Sequence, residues 1–351
     1  MAYTTVNKAK DHFNSLTYTG NGASPRSITG VGFRPDLVWT KDRSDTSTQP
    51  WHDVVRGATY AIRSDNNAAS ANTPAYGYIN SFDSDGYTFQ QGSSDIGRFN
   101  DNSNLYVSFN WKAGNAQGSS NTSGTINTTY TSVNTTAGFS ISQYTGNGNA
   151  GATVGHGLGV VPKLIIVKAL NTTDNWEVYH SSLGAEKYLE LNRQDAQADS
   201  TQIWNDTEPT SSVFSIGNNS GVNTNGNPYI AYCFAEKTGY SSFGSYTGTG
   251  SADGPFIYTG FRPSFVIIKR YNSTKDWFVW DAATSPRNPT DAYGRPNADT
   301  AWGSYSWLDL ISNGIKIRNT SDGASGSGDQ YVYWACGQSL VGTNNVVANA
   351  R

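Results

Sequence analysis

Three short apolar runs set the pattern of this sequence, and each has the same neighbours. The runs are residues 37–39 (LVW), 164–167 (LIIV) and 265–268 (FVII). In each run both alternating sets of side chains are apolar, which is typical of a strand buried on both faces. A Pro precedes each run, and a Lys follows six positions after that Pro. These pairs are Pro35 and Lys41, Pro162 and Lys168, and Pro263 and Lys269.

The same order of elements surrounds each run. A Tyr-Thr-Gly signal comes first, at Tyr18, Tyr144 and Tyr246. A second strand places an aromatic residue beside a polar one and aligns Trp51-His52, Tyr179-His180 and Trp280-Asp281. Each copy closes with a hairpin signal and an aromatic strand, at 106–111, 229–234 and 331–336. That strand begins 71, 67 and 68 residues after the Pro, and such regular self-similarity indicates one structural unit used three times.

These repeats predict an all-β fold of three tandem homologous β-sandwich units of jelly-roll-like form. Residues 115–138 carry no charge and consist largely of Ser, Thr, Asn and Gly, which predicts an extended linker. The first residues do not recur later and predict a docking arm. The predicted boundaries are the N-terminal docking arm 1–13, repeat one 14–114, the linker 115–138, repeat two 139–238, repeat three 239–341 and the C-terminal tail 342–351.

Composition narrows the function classes. Only 15% of residues are charged and the net charge is −3, with no basic stripe, so nucleic-acid binding has little support. No apolar run is long enough to span a bilayer, and the N-terminus lacks the apolar core of a signal peptide, so synthesis in a cytoplasm is expected. Cys233 and Cys336 are expected to be small buried hydrophobic residues. With one Met and four His, neither a transition-metal site nor a cofactor is predicted.

Other candidate chemistry has a plainer interpretation. The polar residues His52, His180 and Asp281 fall in separate units, so packed strand positions are favoured over catalysis. Residues 83–86 (DSDG) resemble the start of a calcium loop but lack its closing Glu, which favours a simple turn. The shared Lys predicts a strand-end charge that covers the sheet edge. For glycoside cleavage no pair can be singled out from the carboxylates of repeat three, which are Asp276, Asp281, Asp291 and Asp309.

Aromatic residues found in one copy only are better binding candidates, because the common fold does not require them. Tyr293, Trp302 and Tyr305 lie in a long polar segment of repeat three. An exposed flat ring can stack on the apolar face of a sugar, while neighbouring Asn or Asp bonds its hydroxyls. These three residues are therefore the predicted glycan-binding candidates, with loop packing as the alternative.

Several long phrases carry a resemblance to a known family. They include SFDSDGYTF, YVSFNWKAG, GHGLGVVPKLIIVK and ISNGIKIRNTS, and the similarity extends from about residue 12 to 329. The chain resembles repetitive virion proteins of marine and cyanobacterial tailed phages, which are tail-fibre-like or surface structural β-sandwich proteins. The resemblance supplies no catalytic motif.

The resemblance implies a non-enzymatic bacteriophage structural protein, displayed on the virion after synthesis in the host cytoplasm. Capsid decoration and tail fibre are both compatible placements. The expected partners are other virion proteins, further copies in a homo-oligomer such as a trimer, and a host-surface glycan. Neither nucleic-acid binding nor membrane insertion is expected. The alternative is a tailspike-like depolymerase that acts on host polysaccharide.

Overall fold

The regular structure consists almost entirely of β-strands. A computed structural model describes residues 4–339, and its helices are single turns, so the predicted all-β class is confirmed. The strands within each sheet pair antiparallel. The alternation of apolar and polar residues, with Gly at the turns, favours such strands.

The element bounds follow the chain. The first part contains a 3₁₀ turn (Ala9–Asp11), β1 (Phe13–Thr19), β2 (Arg26–Thr29), β3 (Leu37–Asp42), β4 (Pro50–Asp53), β5 (Tyr60–Arg63), β6 (Ala71–Asn72), β7 (Tyr78–Asp83), β8 (Gly86–Gln90), α1 (Gly97–Asn100) and β9 (Leu105–Trp111). The second contains β10 (Thr128–Asn134), β11 (Phe139–Thr145), β12 (Ala152–Gly155), β13 (Leu164–Ala169), β14 (Trp176–His180), β15 (Lys187–Glu190), β16 (Ala198–Asp199), α2 (Thr201–Trp204), β17 (Val213–Ile216), α3 (Ser220–Asn223) and β18 (Pro228–Phe234). The third contains β19 (Ser241–Thr247), β20 (Phe256–Tyr258), β21 (Arg262–Arg270), β22 (Trp277–Asp281), β23 (Thr290–Tyr293), β24 (Gly303–Ile311), β25 (Gly314–Ile317) and β26 (Gln330–Gln338).

Each part contributes one large and one small sheet. The large sheets have the orders β1-β9-β3-β4-β5-β6, β10-β11-β18-β13-β14-β15-β16 and β19-β26-β21-β22. The small sheets have the orders β2-β8-β7, β12-β17 and β20-β25-β24-β23. In each large sheet the closing strand (β9, β18 or β26) lies between the apolar strand (β3, β13 or β21) and the strand that carries the Tyr-Thr-Gly signal (β1, β11 or β19).

One face of every large sheet enters a common core. Trp111, Phe234, Phe265 and Trp334 meet there, with ring centroids 4.4 Å apart for Phe234 and Trp334 and 5.6 Å apart for Trp111 and Trp334. The opposite face of each large sheet packs on its small sheet in a separate apolar cluster. The apolar strands β3, β13 and β21 are therefore buried on both faces, as their sequence predicts.

Each of the three parts contacts the other two: the second contacts the first, the third contacts the second, and the first contacts the third. The Trp176 indole donates to the carbonyls of Arg63 and Asn66 in the first part, at 3.1 Å each. The Trp277 indole donates to the Glu190 carbonyl in the second part at 3.0 Å. The Gln49 amide of the first part donates to carbonyls of the third part, including that of Ala298 at 2.6 Å. Side chains of each part thus donate hydrogen bonds to backbone carbonyls of one neighbouring part.

The prediction that the shared lysines cover a sheet edge is wrong, because the strands that carry them, β3, β13 and β21, lie inside their sheets. Lys41, Lys168 and Lys269 are at most 1% exposed, and each ammonium group donates to backbone carbonyls. Lys41 reaches the Asp299 carbonyl of the third part at 2.7 Å, and Lys269 reaches the Gln194 carbonyl of the second at 2.8 Å. Burial lowers the pKa of each lysine to about 8. Neighbouring loops cover these strand ends, so the ammonium groups pair with carbonyls instead of water.

The sheet register corrects one alignment made from sequence. Leu37 pairs with Asp53, Leu164 with His180 and Phe265 with Asp281. The equivalents of His180 and Asp281 are therefore Asp53 and not His52. A shift of one residue moves a strand side chain to the opposite face. Trp51 accordingly lies in the common core, whereas Tyr179 and Trp280 face their small sheets.

The segments outside the predicted repeats differ from expectation in part. The predicted linker 115–138 contains β10, which pairs with β11 as the outer strand of the second large sheet. Composition hid this strand because its buried positions are mostly Thr and Ser. In the predicted arm, Val6 and Ala9 pack on the common core, and the Ala9 amide donates to the Gln338 side chain at 2.7 Å. The predicted tail 342–351 lies outside the described residues.

Candidate functional site

The predicted glycan residues do not form one surface. Tyr293 and Tyr305 both contact Trp307, at centroid distances of 5.3 and 6.3 Å, but only Tyr305 is well exposed, at 60%. A Cβ on Gly303 would lie 2.4 Å from the Tyr293 hydroxyl, so that ring lies over the neighbouring strand. The Trp302 indole covers Gly294 in the same way. Because Tyr293 and Gly294 are adjacent in the chain, the Tyr293 and Trp302 rings lie on opposite faces.

The loop that carries Trp302 supports another part of the molecule. The Trp302 amide donates to the Arg43 carbonyl at 3.0 Å, and the Arg43 guanidinium lies 5.9 Å from the indole centroid. The Ser47 amide donates to the Asp299 carbonyl at 2.7 Å. Loop 295–302 of the third part therefore fixes the position of loop 42–48 of the first.

Loop 42–48 forms one wall of an open polar cleft of about 270 Å³. The other wall comes from Tyr76 and the turn at 95–101. This volume lies near the small end of the range for ligand sites. The lining residues are Asp42, Asp45, Thr46, Ser47, Thr48, Tyr76, Asp95, Gly97, Arg98 and Asp101. Three distant segments supply them, so no motif in the sequence could have revealed the cleft.

A buried tyrosine holds the far wall. The Tyr106 hydroxyl donates to the Gly97 carbonyl at 2.9 Å and accepts from the Asp101 amide at 2.8 Å. Tyr106 is fully buried and stacks on Tyr18 at 5.1 Å. The shared tyrosine thus fixes the backbone of the turn, while Asp95 and Asp101 supply the polar groups.

Acidic groups dominate the electrostatics of the cleft. Within residues 4–339, none of the carboxylates of Asp42, Asp45, Asp95 and Asp101 forms an ion pair. The pKa of Asp101 is raised by partial desolvation and then by the nearby carboxylates, Asp95 first, although its side chain is largely in solvent. A Cβ on Gly97 would lie 3.0 Å from an Asp101 oxygen and 3.4 Å from an Asp95 oxygen, which makes these carboxylates close neighbours.

The cleft also offers donors and a flat ring. The Arg98 guanidinium lies 5.0 Å from the centroid of Tyr76, which is 48% exposed. Thr48 Oγ1 and Arg98 Nη1 are buried and have no hydrogen-bond partner among the described residues, so both can donate to a ligand. Carboxylate acceptors, hydroxyl donors and an exposed ring are the combination that binds a polyhydroxylated ligand.

The remaining sequence candidates are structural. Burial lowers the pKa of His52 to about 3 and that of His180 to about 4, and each ring bonds a backbone carbonyl. In the predicted turn, Asp85 accepts from the Gly30 and Gly32 amides. Cys233 and Cys336 are free and buried, as expected.

The carboxylates named for repeat three make separate contacts. The Asp276 carboxylate accepts a hydrogen bond from Asn297, and the Asp291 carboxylate accepts one from Ser285. Asp281 is fully buried, and Asp309 forms an ion pair with Arg318. Among the described residues, no group of three or more His, Cys, Asp or Glu is placed to bind a metal ion. An apolar cavity of about 20 Å³ in the common core has room for about one water and offers it no polar lining.

Fold and site together define an all-β protein of the sandwich type with an open polar cleft. No helix within residues 4–339 has the length and apolar character needed to cross a bilayer. A family model described as a domain of unknown function (DUF7483) matches residues 8–339, and the chain belongs to that family. Comparison with curated proteins and with solved structures finds no match.

Proposed function

We propose that the chain consists of three copies of one β-sandwich unit, at 14–114, 139–238 and 239–341. Three stacked tyrosine pairs support this. Their ring centroids lie 5.1, 5.2 and 4.9 Å apart. In each pair the second hydroxyl donates to the carbonyl nine residues earlier and accepts from the amide five residues earlier. The pairs are Tyr18 with Tyr106, Tyr144 with Tyr229, and Tyr246 with Tyr331.

On this scaffold we propose a non-enzymatic structural protein of the surface of a tailed-phage particle. The resemblance to repetitive virion proteins supports this role. The proposed partners are other virion proteins and further copies of the chain, and both capsid decoration and a tail appendage satisfy the proposal. Antibody labelling of intact particles separates these placements, because label confined to the tail tip would exclude capsid decoration and label over the whole head would exclude a tail fibre.

We propose that the first unit binds a glycan in the polar cleft, and the cleft itself carries this proposal. The corresponding place in the third unit is closed by ion pairs, since Arg270 lies 2.8 Å from Asp329 and Lys275 lies 2.7 Å from Asp322. Among residues 4–339, the carboxylates that line the cleft of the first unit form no ion pair, although Asp42 accepts hydrogen bonds from Ser44 and Asn104. The negative charge of the cleft favours neutral or amino sugars over acidic ones.

The test is binding of the full chain to an array of bacterial surface polysaccharides, followed by titration of the best binder. Asp101→Thr is the informative variant, because Thr224 of the second unit makes the same amide contact to its tyrosine. Glu186→Gln, an equal charge change at an exposed position of the second unit, is the matched control. We expect at least tenfold weaker binding for Asp101→Thr alone. Equal binding by both variants and the wild type would exclude the cleft.

A second candidate function is cleavage of the bound glycan. The closeness of the Asp101 and Asp95 carboxylates, which both lie within 3.4 Å of a Cβ placed on Gly97, favours it, because glycoside hydrolysis uses a pair of carboxyl groups that flank the scissile bond. Release of reducing sugar by the wild type, lost in Asp101→Asn, would establish a depolymerase. Binding without release supports the adhesive role.

A further inference from the structure

A second surface with binding chemistry lies far from the cleft in sequence, on the outer side of the third small sheet. Phe256 and Tyr258 are 48% and 63% exposed, whereas Ile257 between them is buried. Alternate residues of a strand face the same side, so both rings point outward, roughly 7 Å apart along β20. The sequence pattern aromatic-aliphatic-aromatic could have indicated this surface.

The sheet holds one of these rings flat. Phe256 pairs with Lys316 and Tyr258 with Gly314. A Cβ on Gly314 would lie 2.6 Å from the Phe256 ring, so the ring leans across this glycine. One ring face is thereby pressed to the sheet, and the other is left for a ligand.

Ion pairs border the two rings. Lys316 and Asp253 form one ion pair at 2.6 Å, and Arg318 and Asp309 form another at 2.6 Å. Asp309 is the residue opposite Lys316 on the neighbouring strand. Charges that are already neutralised in pairs offer hydrogen-bond groups without a strong net field. A ligand that presents both C–H faces and hydroxyls fits such a border better than an ion does.

The other two small sheets lack this surface. In the first, Ser27 pairs with Thr88, so the position of Phe256 is a serine and that of Tyr258 is Thr29. In the second, Thr153 occupies the position of Phe256, and Thr125 covers it through hydrogen bonds. Since the equivalent strands form with Ser, Thr or, at Gly155, Gly in place of the rings, the rings are not needed for folding.

We infer that Phe256 and Tyr258 form a stacking platform for a neutral glycan, a second contact for the adhesion proposed above, on which this inference rests. Flat exposed rings stack on the apolar faces of sugars. A second copy or another protein fits the surface less well. A stable protein interface buries roughly 800 Å² on each partner, with an apolar centre. Here β20 has three residues and β25 has four, and charged groups border the two rings directly.

The test uses the full chain with the double change Phe256→Ser and Tyr258→Thr, which copies the residues of the first small sheet. Circular dichroism and the urea midpoint report on folding. The ligand is the array polysaccharide that the wild type binds best, and Glu186→Gln is again the control. We expect the double variant to stay folded and to bind at least tenfold more weakly, equivalent to about 1.4 kcal/mol.

The other outcomes are distinct. Unchanged binding by the folded double variant overturns this inference and leaves the proposed adhesion standing. A wild type that binds nothing on the array overturns both. A wild-type dimer that light scattering shows to become monomeric in the double variant, with glycan binding unchanged, identifies the surface as a contact between copies and overturns the inference.

Discussion

Removing one hydroxyl from each buried tyrosine tests both the repeated architecture and the position of the cleft. Tyr106, Tyr229 and Tyr331 are fully buried, and each hydroxyl serves one backbone carbonyl and one backbone amide. The three single changes to Phe delete the same pair of hydrogen bonds in three places. Only the first of these places forms a wall of the cleft.

The magnitude follows from the two bonds lost. A net contribution of about 1 kcal/mol per hydrogen bond gives a loss of about 2 kcal/mol for each variant. The loss approaches about 4 kcal/mol if the carbonyl and amide stay buried without partners, and it shrinks if water reaches them. We expect similar losses for all three variants, because the bond lengths agree within 2.7–2.9 Å.

Urea unfolding monitored by tryptophan fluorescence measures these losses, and the polysaccharide titration measures the cleft. Tyr106→Phe is expected to weaken glycan binding, because the turn at 95–101 loses its anchor, whereas Tyr229→Phe and Tyr331→Phe serve as matched controls. A loss below about 0.5 kcal/mol in every variant would refute the hydrogen-bond reasoning. Equal binding by the three variants would refute the role of the cleft wall.

The remaining predictions concern the common core and the buried histidines. Trp334→Ala is expected to cost about 3–5 kcal/mol and to lower the stability of all three parts together, since its ring contacts Trp111, Phe234 and Phe265; hydrogen exchange confined to the third part would contradict this. The pKa of His180 falls from 6.5 to about 4 on folding, so the unfolded chain binds more protons between these values. Stability is full above pH 6.5 and should drop by about 3 kcal/mol as the pH falls to 4. His180→Gln should remove that part of the pH dependence in urea titrations, and an unchanged slope would contradict it.

The buried lysines stabilise the molecule only if every ammonium group keeps its hydrogen bonds to backbone carbonyls. Each ammonium group has given up water for a few carbonyls, and burial lowers its pKa to about 8. A buried charge is tolerated only with such partners. For Lys41 and Lys269, some of the carbonyls that accept from the ammonium group belong to a neighbouring part. These two ammonium groups therefore keep all their partners only while the parts stay in contact.

The sequence predicts the candidate sites only in part. Tyr305 is exposed, in keeping with its polar neighbours, whereas Tyr293 and Trp302 are packed over glycines of a paired strand that sequence cannot place. Their glycan role stays a prediction. The cleft cannot be identified from the sequence, because its residues come from three separate segments. Proximity of distant segments is a property of the folded chain alone.

Local patterns determined the strands. The period of two, the leading Pro and the apolar runs are set by neighbouring residues, so β3, β13 and β21 and their burial on both faces followed from the sequence. What covers each face did not follow. Apolar residues at both alternating sets of strand positions show that both faces of the strand are buried. They do not show which face packs on a small sheet and which packs in the core shared by the three parts.

The tertiary structure alone decided the register of Trp51, the burial of Lys41 and the strand inside the predicted linker. Each depends on contacts between residues far apart in the chain. A slip of one residue leaves the local pattern almost unchanged yet exchanges the two faces. The packing of all the sheets therefore decides between the registers. In the observed register Trp51 packs in the common core, and Lys41 donates a hydrogen bond to the Asp299 carbonyl.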